Sequence, residues 1–205
     1  MPCFFSVFLN AYFTFFMRPS RKTQIIQTAA SLFCDKGYNA VSMRNLADEL
    51  GIRAASLYNH ISSKEEILAH VILEVAKSFS RHINQTFPKE DSALQKLENI
   101  IVMHVEITIQ KTDALACMNN DWMHLDSIHR NRYIQMREDY EDKFRAIILN
   151  GMEKGEIEKR DPEIIVFSLL STLRTLYLWY AKNRDFDENI LKEEVAETLL
   201  SGIVK

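Results

Sequence analysis

The side chains with the clearest chemical potential lie between positions 42 and 64. Residues 42–61, SMRNLADELGIRAASLYNHI, predict two short helices separated by a tight turn at Gly51, because glycine readily takes the positive φ that such a turn requires. The second helix carries mostly small or polar residues on its outer face. Such a face can enter a DNA major groove about 12 Å wide without clashing. The pattern therefore predicts a helix-turn-helix.

Basic and hydroxyl groups flank this predicted helix pair, and they are of the types that bind phosphate oxygens. An ordinary hairpin of two helices with a solvated outer face is the alternative interpretation. The distribution of charge favours the nucleic-acid interpretation. Residues 18–64 carry a net charge of +4, whereas residues 65–205 carry −7, so a basic head precedes an acidic body. The candidate phosphate contacts are Ser42, Arg44, Tyr58, His60 and Lys64.

The composition indicates an all-α fold, because only 5 glycines and 4 prolines in 205 residues leave little room for the turns of a β protein. Apolar residues repeat at intervals of three and four, and capping residues precede them. Ser63 and Glu66 predict a capping box at the start of one long helix. Gly37 is placed for a left-handed residue after the first helix. The predicted helices span residues 20–36, 43–50, 54–61, 63–86, 92–110, 126–154, 163–182 and 187–202, with a short apolar stretch at 114–118.

Residues 29–68 read AASLFCDKGYNAVSMRNLADELGIRAASLYNHISSKEEIL. On the basis of this string, residues 20–68 resemble the N-terminal domain of the tetracycline-repressor (TetR) family of bacterial regulators. Two positions depart from the family pattern. Arg53 stands where a serine often caps the recognition helix, and Ile61 replaces a phenylalanine. The resemblance implies a three-helix DNA-binding domain at 18–64, followed by a larger helical domain at 65–205. It implies a double-stranded DNA partner contacted by Ser42, Arg44, Arg53, Ala54, Ala55, Ser56, Tyr58, Asn59, His60 and Lys64.

A head of this size binds a palindromic operator as a pair of subunits, one for each half-site. The resemblance implies a homodimer built by the last two helices. One begins at Glu163 and ends at Lys182, and the other begins at Asp187 and ends at Gly202. The first of these is apolar nearly all round, so it must be covered on several sides. A core that belongs to a monomer is the alternative.

The middle of the body is expected to bind a small effector, because methionines and aromatic residues cluster there. Plain core packing is the alternative for each of them. Two C-terminal segments resemble TetR-family regulators that respond to acyl-CoA thioesters, and Arg130, Arg132 and Arg137 suit an anionic group. The candidate pocket residues are Met103, His104, Ile107, Met118, Trp122, Met123, Tyr133, Arg137, Tyr140, Phe144, Thr172, Tyr177 and Trp179.

Enzyme and metal chemistry are not indicated. The six histidines lack the spacing of known metal motifs, and no phosphate-binding glycine loop or catalytic triad is evident, so neither a cofactor nor a metal is expected. Three scattered cysteines suggest reduced thiols, and Cys34 is expected to be a small core residue. We therefore expect a cytoplasmic protein.

Residues 1–17 carry no charged side chain and contain six phenylalanines. A signal peptide needs basic residues before its apolar run, and a membrane-spanning helix needs about 20 apolar residues. We expect instead that translation starts at Met17 and that the preceding residues are mis-assigned. A membrane-tethered signalling protein anchored by this segment is the rival hypothesis.

Taken together, these features predict a ligand-responsive, homodimeric repressor of the TetR type. Its effector would be an acyl-CoA or another apolar ligand. The alternative is a DNA-binding activator or architectural regulator that has no small-molecule switch.

Overall fold

The computed structural model describes residues 20–204, which fold into nine α-helices and two short 3-10 helices without a named β-strand. The predicted all-α class is therefore confirmed, whereas the predictions for residues 1–17 lie outside the described residues. The α-helices are α1 Arg21–Lys36, α2 Met43–Glu49, α3 Ala54–Tyr58, α4 Lys64–Thr86, α5 Ala93–Gln110, α6 Thr112–Asn120, α7 Ser127–Lys154, α8 Pro162–Tyr180 and α9 Glu188–Ser201. The 3-10 helices are Tyr38–Ala40 and Trp122–His124.

Side-chain caps determine where most helices begin. At seven of the nine α-helices the residue before the first turn accepts a hydrogen bond from a backbone N–H group that has no partner within the helix. All seven lie within two residues of a predicted helix start, and Pro162 occupies the first turn of α8, where its missing N–H costs no hydrogen bond of the helix. The capping residues are Ser20, Ser42, Ser63, Ser92, Asp126, Asp161 and Asp187.

The end of α3 and the conformation of Gly37 differ in detail from the predictions. Helix α3 ends at Tyr58 rather than at residue 61, because the next residues tighten into a turn in which the N–H groups of His60 and Ile61 both bond to the Leu57 carbonyl. Gly51 has φ 64°, as predicted. Gly37 also has a positive φ of 82°, which favours glycine as predicted, but its ψ of 142° lies outside the left-handed helical region.

The predicted capping box at Ser63 is also wrong in its second half. The Ser63 hydroxyl accepts from the Glu66 N–H at 3.1 Å, but the Glu66 carboxylate turns away to Ser62. There it accepts from the Ser62 hydroxyl at 2.6 Å and from the Ser62 N–H at 2.8 Å, and Lys22 of α1 donates to it at 3.3 Å. These bonds lower the pKa of Glu66 to about 2, the Ser62 hydroxyl bond contributing most. Glu66 thus joins α1, α4 and the loop after α3.

The head (α1–α3) and the body (α5–α9) are joined by α4, whose inner face is buried along most of its length. One apolar cluster runs from Phe33 and Leu57 in the head, through Ile72 of α4, to Cys117 and Tyr133 in the body. A second cluster fills the far end of the body around Leu97 and Phe144. The head therefore packs on the body through a continuous core rather than through a linker.

We expect Glu66→Gln to lower the free energy of unfolding by about 1 kcal/mol at pH 7, because it weakens charge-assisted hydrogen bonds in a partly exposed site. The folded-state pKa of Glu66 lies below its unfolded value of about 4.3. The stabilisation is therefore complete above about pH 5 and is lost as the pH falls towards 2. Urea unfolding at pH 7 and at pH 3 measures the difference in the free energy of unfolding between the wild type and Glu66→Gln. This difference should be smaller at pH 3. The exposed neighbour Glu65→Gln is the control, and an equal effect there would contradict the assignment.

Candidate DNA-binding face and ligand cavity

Helices α2 and α3 pack through a small apolar contact that leaves their outer sides open. Leu46, Ala47 and Leu57 are buried between them, and the small side chain of Ala47 lets the helices approach closely. The outer side forms what we call the DNA-binding face. Eight of the ten predicted contact residues are exposed on it, namely Ser42, Arg44, Arg53, Ala55, Ser56, Tyr58, Asn59 and His60, whereas Ala54 and Lys64 are partly buried.

Two of the predicted contact residues have a local role at the helix starts. Arg53 is the N-cap of α3 but makes no side-chain capping bond, so its guanidinium is not committed to the cap. The Ser42 hydroxyl donates to the Asn45 side chain at 2.5 Å and accepts from the Asn45 N–H at 3.2 Å. Its proton is therefore already used within the capping box, and a phosphate contact by this hydroxyl would have to replace that bond.

Lys64 is held inside the head by three interactions. Its Nζ donates to the carbonyls of Tyr38 at 3.0 Å and Val41 at 2.9 Å, and it lies 4.2 Å from the centre of the Tyr38 ring. The first residue of α4 thus fixes the loop between α1 and α2. One of the three ammonium protons is left over for a phosphate oxygen.

Tyr38 is also the point at which the head touches the second 3-10 helix. Its ring stacks on His124, with centroids 5.1 Å apart and planes at 24°, and meets Phe33 edge-on. The Tyr38 hydroxyl is buried and has no hydrogen-bond partner within residues 20–204. Burial raises the pKa of Tyr38 to about 12. The 3-10 helix Trp122–His124 therefore bridges the body to the head.

A cavity of about 60 Å³ lies in the body between α4, α5, α6, α7 and α8. This is well below the roughly 300–1,000 Å³ of typical ligand sites. Apolar side chains dominate its wall. The lining residues are Ala76, Phe79, Ser80, His104, Leu115, Met118, Asn119, Tyr133, Met136, Arg137, Tyr140, Leu170, Leu173 and Arg174.

Five of the thirteen predicted pocket residues line this cavity: His104, Met118, Tyr133, Arg137 and Tyr140. Trp122 lies just outside the wall, against the rings and guanidinium of Tyr133 and Arg137. The structure does not bring the other seven into the cavity. Met103 and Ile107 pack in the core that joins head and body, Phe144 lies in the second core, Tyr177 bonds to Asn120, and Met123, Thr172 and Trp179 are exposed.

Arg174 is the most informative lining residue that the sequence analysis missed. It is the single charged residue between Glu163 and Lys182 in an otherwise apolar or hydroxyl-bearing helix, and that isolation was a usable signal. The sequence of α4 offered no such signal, because Ala76 and Phe79 are residue types that occur equally in an ordinary core. Arg130 and Arg132, which were expected to suit an anionic ligand, are exposed and do not line the cavity.

The polar groups of the cavity fall into two sets. Deep inside, His104 Nε2 and the Tyr140 hydroxyl lie 2.7 Å apart, and the Phe79 ring covers the imidazole at 4.4 Å. Burial, and then the charge of Arg174, lower the pKa of His104 to about 3, so this pair is neutral at pH 7. At the mouth, Arg174 donates to Glu141 at 2.5 Å, and Arg137 Nε lies 3.8 Å from the same carboxylate oxygen.

A wider groove of about 610 Å³ lies between α1, α4 and the turn from α5 to α6. The ionisable side chains that line this groove already form ion pairs or hydrogen bonds with one another or with nearby residues. Arg184 bonds to Asp113 at 3.3 Å, and Lys111 donates to the Ser78 hydroxyl. This groove is open and more polar than the cavity.

The two cysteines within the described residues are free thiols. Cys34 is exposed, so the prediction that it is a core residue was wrong, because it points outward from α1. Cys117 is buried, with its sulfur 3.6 Å from the Ala30 carbonyl oxygen, and burial raises the pKa of its thiol. Within residues 20–204 no three histidine, cysteine or acidic side chains are grouped to hold a metal ion.

Comparison with known families identifies this arrangement. Residues 90–203, more than half of the chain, match the family described as "Tetracyclin repressor-like, C-terminal domain". This chain belongs to the TetR family. Residues 25–71, which contain α2 and α3, match "Bacterial regulatory proteins, tetR family". The predicted TetR membership is therefore confirmed, and the chain is a DNA-binding transcription regulator with a helix-turn-helix head.

Individual TetR-family proteins are similar along nearly the whole chain. The transcriptional repressor KstR2 of Mycolicibacterium smegmatis is 22% identical over 188 residues, which are 91% of this chain and 92% of that protein. The structure of the ketosteroid regulator KstR2 of Mycobacterium tuberculosis has a TM-score of 0.85 at 18% identity, covering 92% of this chain and 97% of that one. AibR in complex with isovaleryl coenzyme A and operator DNA has a TM-score of 0.75 at 20% identity, covering 87% and 97%.

The membrane hypotheses concern a part of the chain that precedes the described residues. Between residues 20 and 204 no helix combines the length and the apolar character that crossing a membrane requires.

Proposed function

We propose that this TetR-family regulator is a homodimeric repressor that binds a palindromic operator and is released by an apolar small-molecule effector. The observation that carries the proposal is the continuous core that joins the helix-turn-helix head to the cavity-bearing body through α4. A change of shape around the cavity is then also a change in the position of the head. The repressor names of the KstR2 relatives support the same conclusion.

In this proposal the DNA-binding face enters the major groove through α3. Arg53, Ser56 and Asn59 read base edges, since Arg matches guanine and Asn matches adenine. Arg44, Tyr58 and His60 bind phosphates on either side. The positive charge of the head supplies the attraction to DNA that does not depend on sequence, and the acidic body turns away from it.

An exposed apolar stripe along α8 supports the dimer. Ile164, Phe167 and Leu178 are 62%, 69% and 53% exposed, and the hydroxyl-bearing residues between them on the same face are small. The opposite face of α8 is buried within the chain, so α8 is covered on one side only. A second copy that places its α8 and α9 against this stripe covers the other side. Two heads joined in this way can reach half-sites about 34–36 Å apart.

Effector release follows from the shared use of α4. Ala76 and Phe79 of α4 line the cavity, and the same helix begins at Lys64, which holds the head loop. A ligand too large for the cavity must push its walls apart, and one of those walls is α4. The effector must bind the state that cannot bind DNA more tightly than the state that can. By linkage, the operator then weakens effector binding by the same factor.

The class of effector is proposed as an acyl-CoA or a similar apolar compound. The similarity to AibR, whose structure was solved in complex with isovaleryl coenzyme A and operator DNA, supports this class. A regulator without a small-molecule switch is the competing candidate, and the small volume of the cavity favours it.

Operator selection from random DNA with the purified full chain tests the proposal. We expect a palindromic site, and we expect an acyl-CoA series to raise the melting temperature and to release the selected DNA. Fluorescence anisotropy measures the release. Tight operator binding that no acyl-CoA alters would instead establish the regulator without a switch.

Arg44→Ala should weaken binding to the selected operator and reduce the slope of log K against log salt by about 1, because one phosphate contact is lost. Lys64→Ala should reduce the slope similarly and also lower the melting temperature, because the Tyr38 and Val41 carbonyls lose their donor. Arg160→Ala, an exposed change on the body, is the control. An unchanged slope for both head variants would contradict the assigned face.

Phe167→Glu should convert the dimer to a monomer in analytical ultracentrifugation, because it places a charge within the apolar stripe. Operator affinity should then fall by more than about tenfold, because two half-sites are no longer bound together. Ile128→Glu is the matched control, since Ile128 is 77% exposed on α7 and lies outside the stripe. A variant Phe167→Glu that remains dimeric would place the interface elsewhere.

A further inference from the structure

We propose that the effector of this regulator is an apolar carboxylate whose anionic group displaces Glu141 from Arg137 and Arg174 at the mouth of the cavity. The inference rests on the proposed effector-controlled function and specifies the ligand chemistry of that site. Glu141 would then be a built-in stand-in for the ligand, bound when the cavity is empty and released when it is filled.

The first argument is the geometry of the charges. One carboxylate oxygen of Glu141 accepts from Arg174 of α8 at 2.5 Å and lies 3.8 Å from Nε of Arg137 of α7. Both arginines belong to the cavity wall, whereas Glu141 does not. Two guanidinium groups that share one carboxylate leave a net positive charge at the mouth. A second carboxylate therefore finds a site that already matches its shape and charge.

The second argument is that the resident ion pair is easy to exchange. The side chains of Glu141, Arg137 and Arg174 are 28%, 38% and 40% exposed, and ion pairs at this level of exposure contribute little to stability. Glu141 can swing into solvent without leaving an unpaired buried charge. A ligand carboxylate can then take over both arginines at little cost.

The third argument concerns the rest of the ligand. Beyond the arginines most of the wall is apolar, including Met118, Met136 and Leu173. Its remaining polar groups are uncharged: Ser80, Asn119 and the buried His104–Tyr140 pair. A second charge has no partner there. Methionine side chains are flexible and can move to lengthen a cavity of about 60 Å³. A single anionic group at one end of an apolar body fits this arrangement.

The anion site is also in contact with the path to the head. The guanidinium of Arg137 lies 5.5 Å from the centre of the Trp122 ring, and Trp122 begins the 3-10 helix whose last residue, His124, stacks on Tyr38. When Arg137 turns from Glu141 to a ligand, its contact with Trp122 changes. Exchange of the carboxylate therefore reaches the head through a second contact besides α4.

The test compares three probes on the full chain: hexanoate, its neutral methyl ester and hexanoyl-CoA. Isothermal titration calorimetry measures their affinities for the wild type, Glu141→Gln and Glu138→Gln, the last being an exposed carboxylate of α7 that serves as the matched control. We expect hexanoate to bind more tightly than the methyl ester. Glu141→Gln should tighten hexanoate binding by about tenfold, because the internal competitor is gone, and should leave the ester unchanged.

Arg174→Gln should weaken hexanoate binding by about tenfold, and Arg174→Lys should restore part of it. Circular dichroism and melting temperature establish that each variant is folded.

Hexanoate that binds no better than its ester, or a hexanoate affinity that Glu141→Gln leaves unchanged, would overturn the inference. If hexanoyl-CoA alone binds and releases the operator, the effector-controlled repressor stands and the carboxylate site falls. If none of the three probes binds, the carboxylate site is rejected. Operator selection then tests the DNA-binding function separately.

Discussion

The structure depends on one helix that belongs to two cores at once. Helix α4 buries its inner face against α1 in the head and against α5, α6 and α7 in the body. Protein interiors are close-packed, so a wall of the cavity cannot shift while the other end of the same helix stays in place. The hydrogen bonds of Lys64 and Glu66 at the start of α4 keep its first turn attached to the head loops. The head also packs directly on the body, where Cys117 of α6 lies against Ala30 of α1 and His124 stacks on Tyr38, so α4 is reinforced by contacts on its flanks.

Much of the fold could be predicted because its signals are local. A serine or aspartate that satisfies the free N–H groups of the next turn can be recognised within four residues, and Ser20, Asp161 and Asp187 each cap the expected helix. Gly51 was predicted for the same reason, since its backbone conformation is a local requirement of the turn. Glu66 shows the limit of such patterns. Its spacing from Ser63 fits a capping box, but Ser62 and Lys22 offered its carboxylate a better set of donors.

The cavity could be predicted only in part, because it depends on how five helices are rotated about their axes. Periodicity gives the apolar face of each helix but not which of the buried residues border a void and which fill a core. The sequence around Met118 and the sequence around Phe144 are equally compatible with a place in a pocket wall. In the structure, however, Met118 lines the cavity and Phe144 lies in the second core. Residue type had a similar limit on the DNA-binding face, because the Ser42 hydroxyl proton and two of the Lys64 ammonium protons are used in hydrogen bonds within the head.

The small volume of the cavity affects the concentration of effector that is needed for a response. A cavity of about 60 Å³ must widen before it can hold a molecule too large for it, so the apparent affinity of any such molecule is multiplied by the fraction of protein that is in the widened state. The concentration that triggers a response is therefore a property of the whole body and not only of the residues that touch the ligand. Substitutions that loosen the packing of the body anywhere along α4 would make the protein more sensitive while leaving its chemical preference intact. Sensitivity and selectivity can thus change independently in this fold.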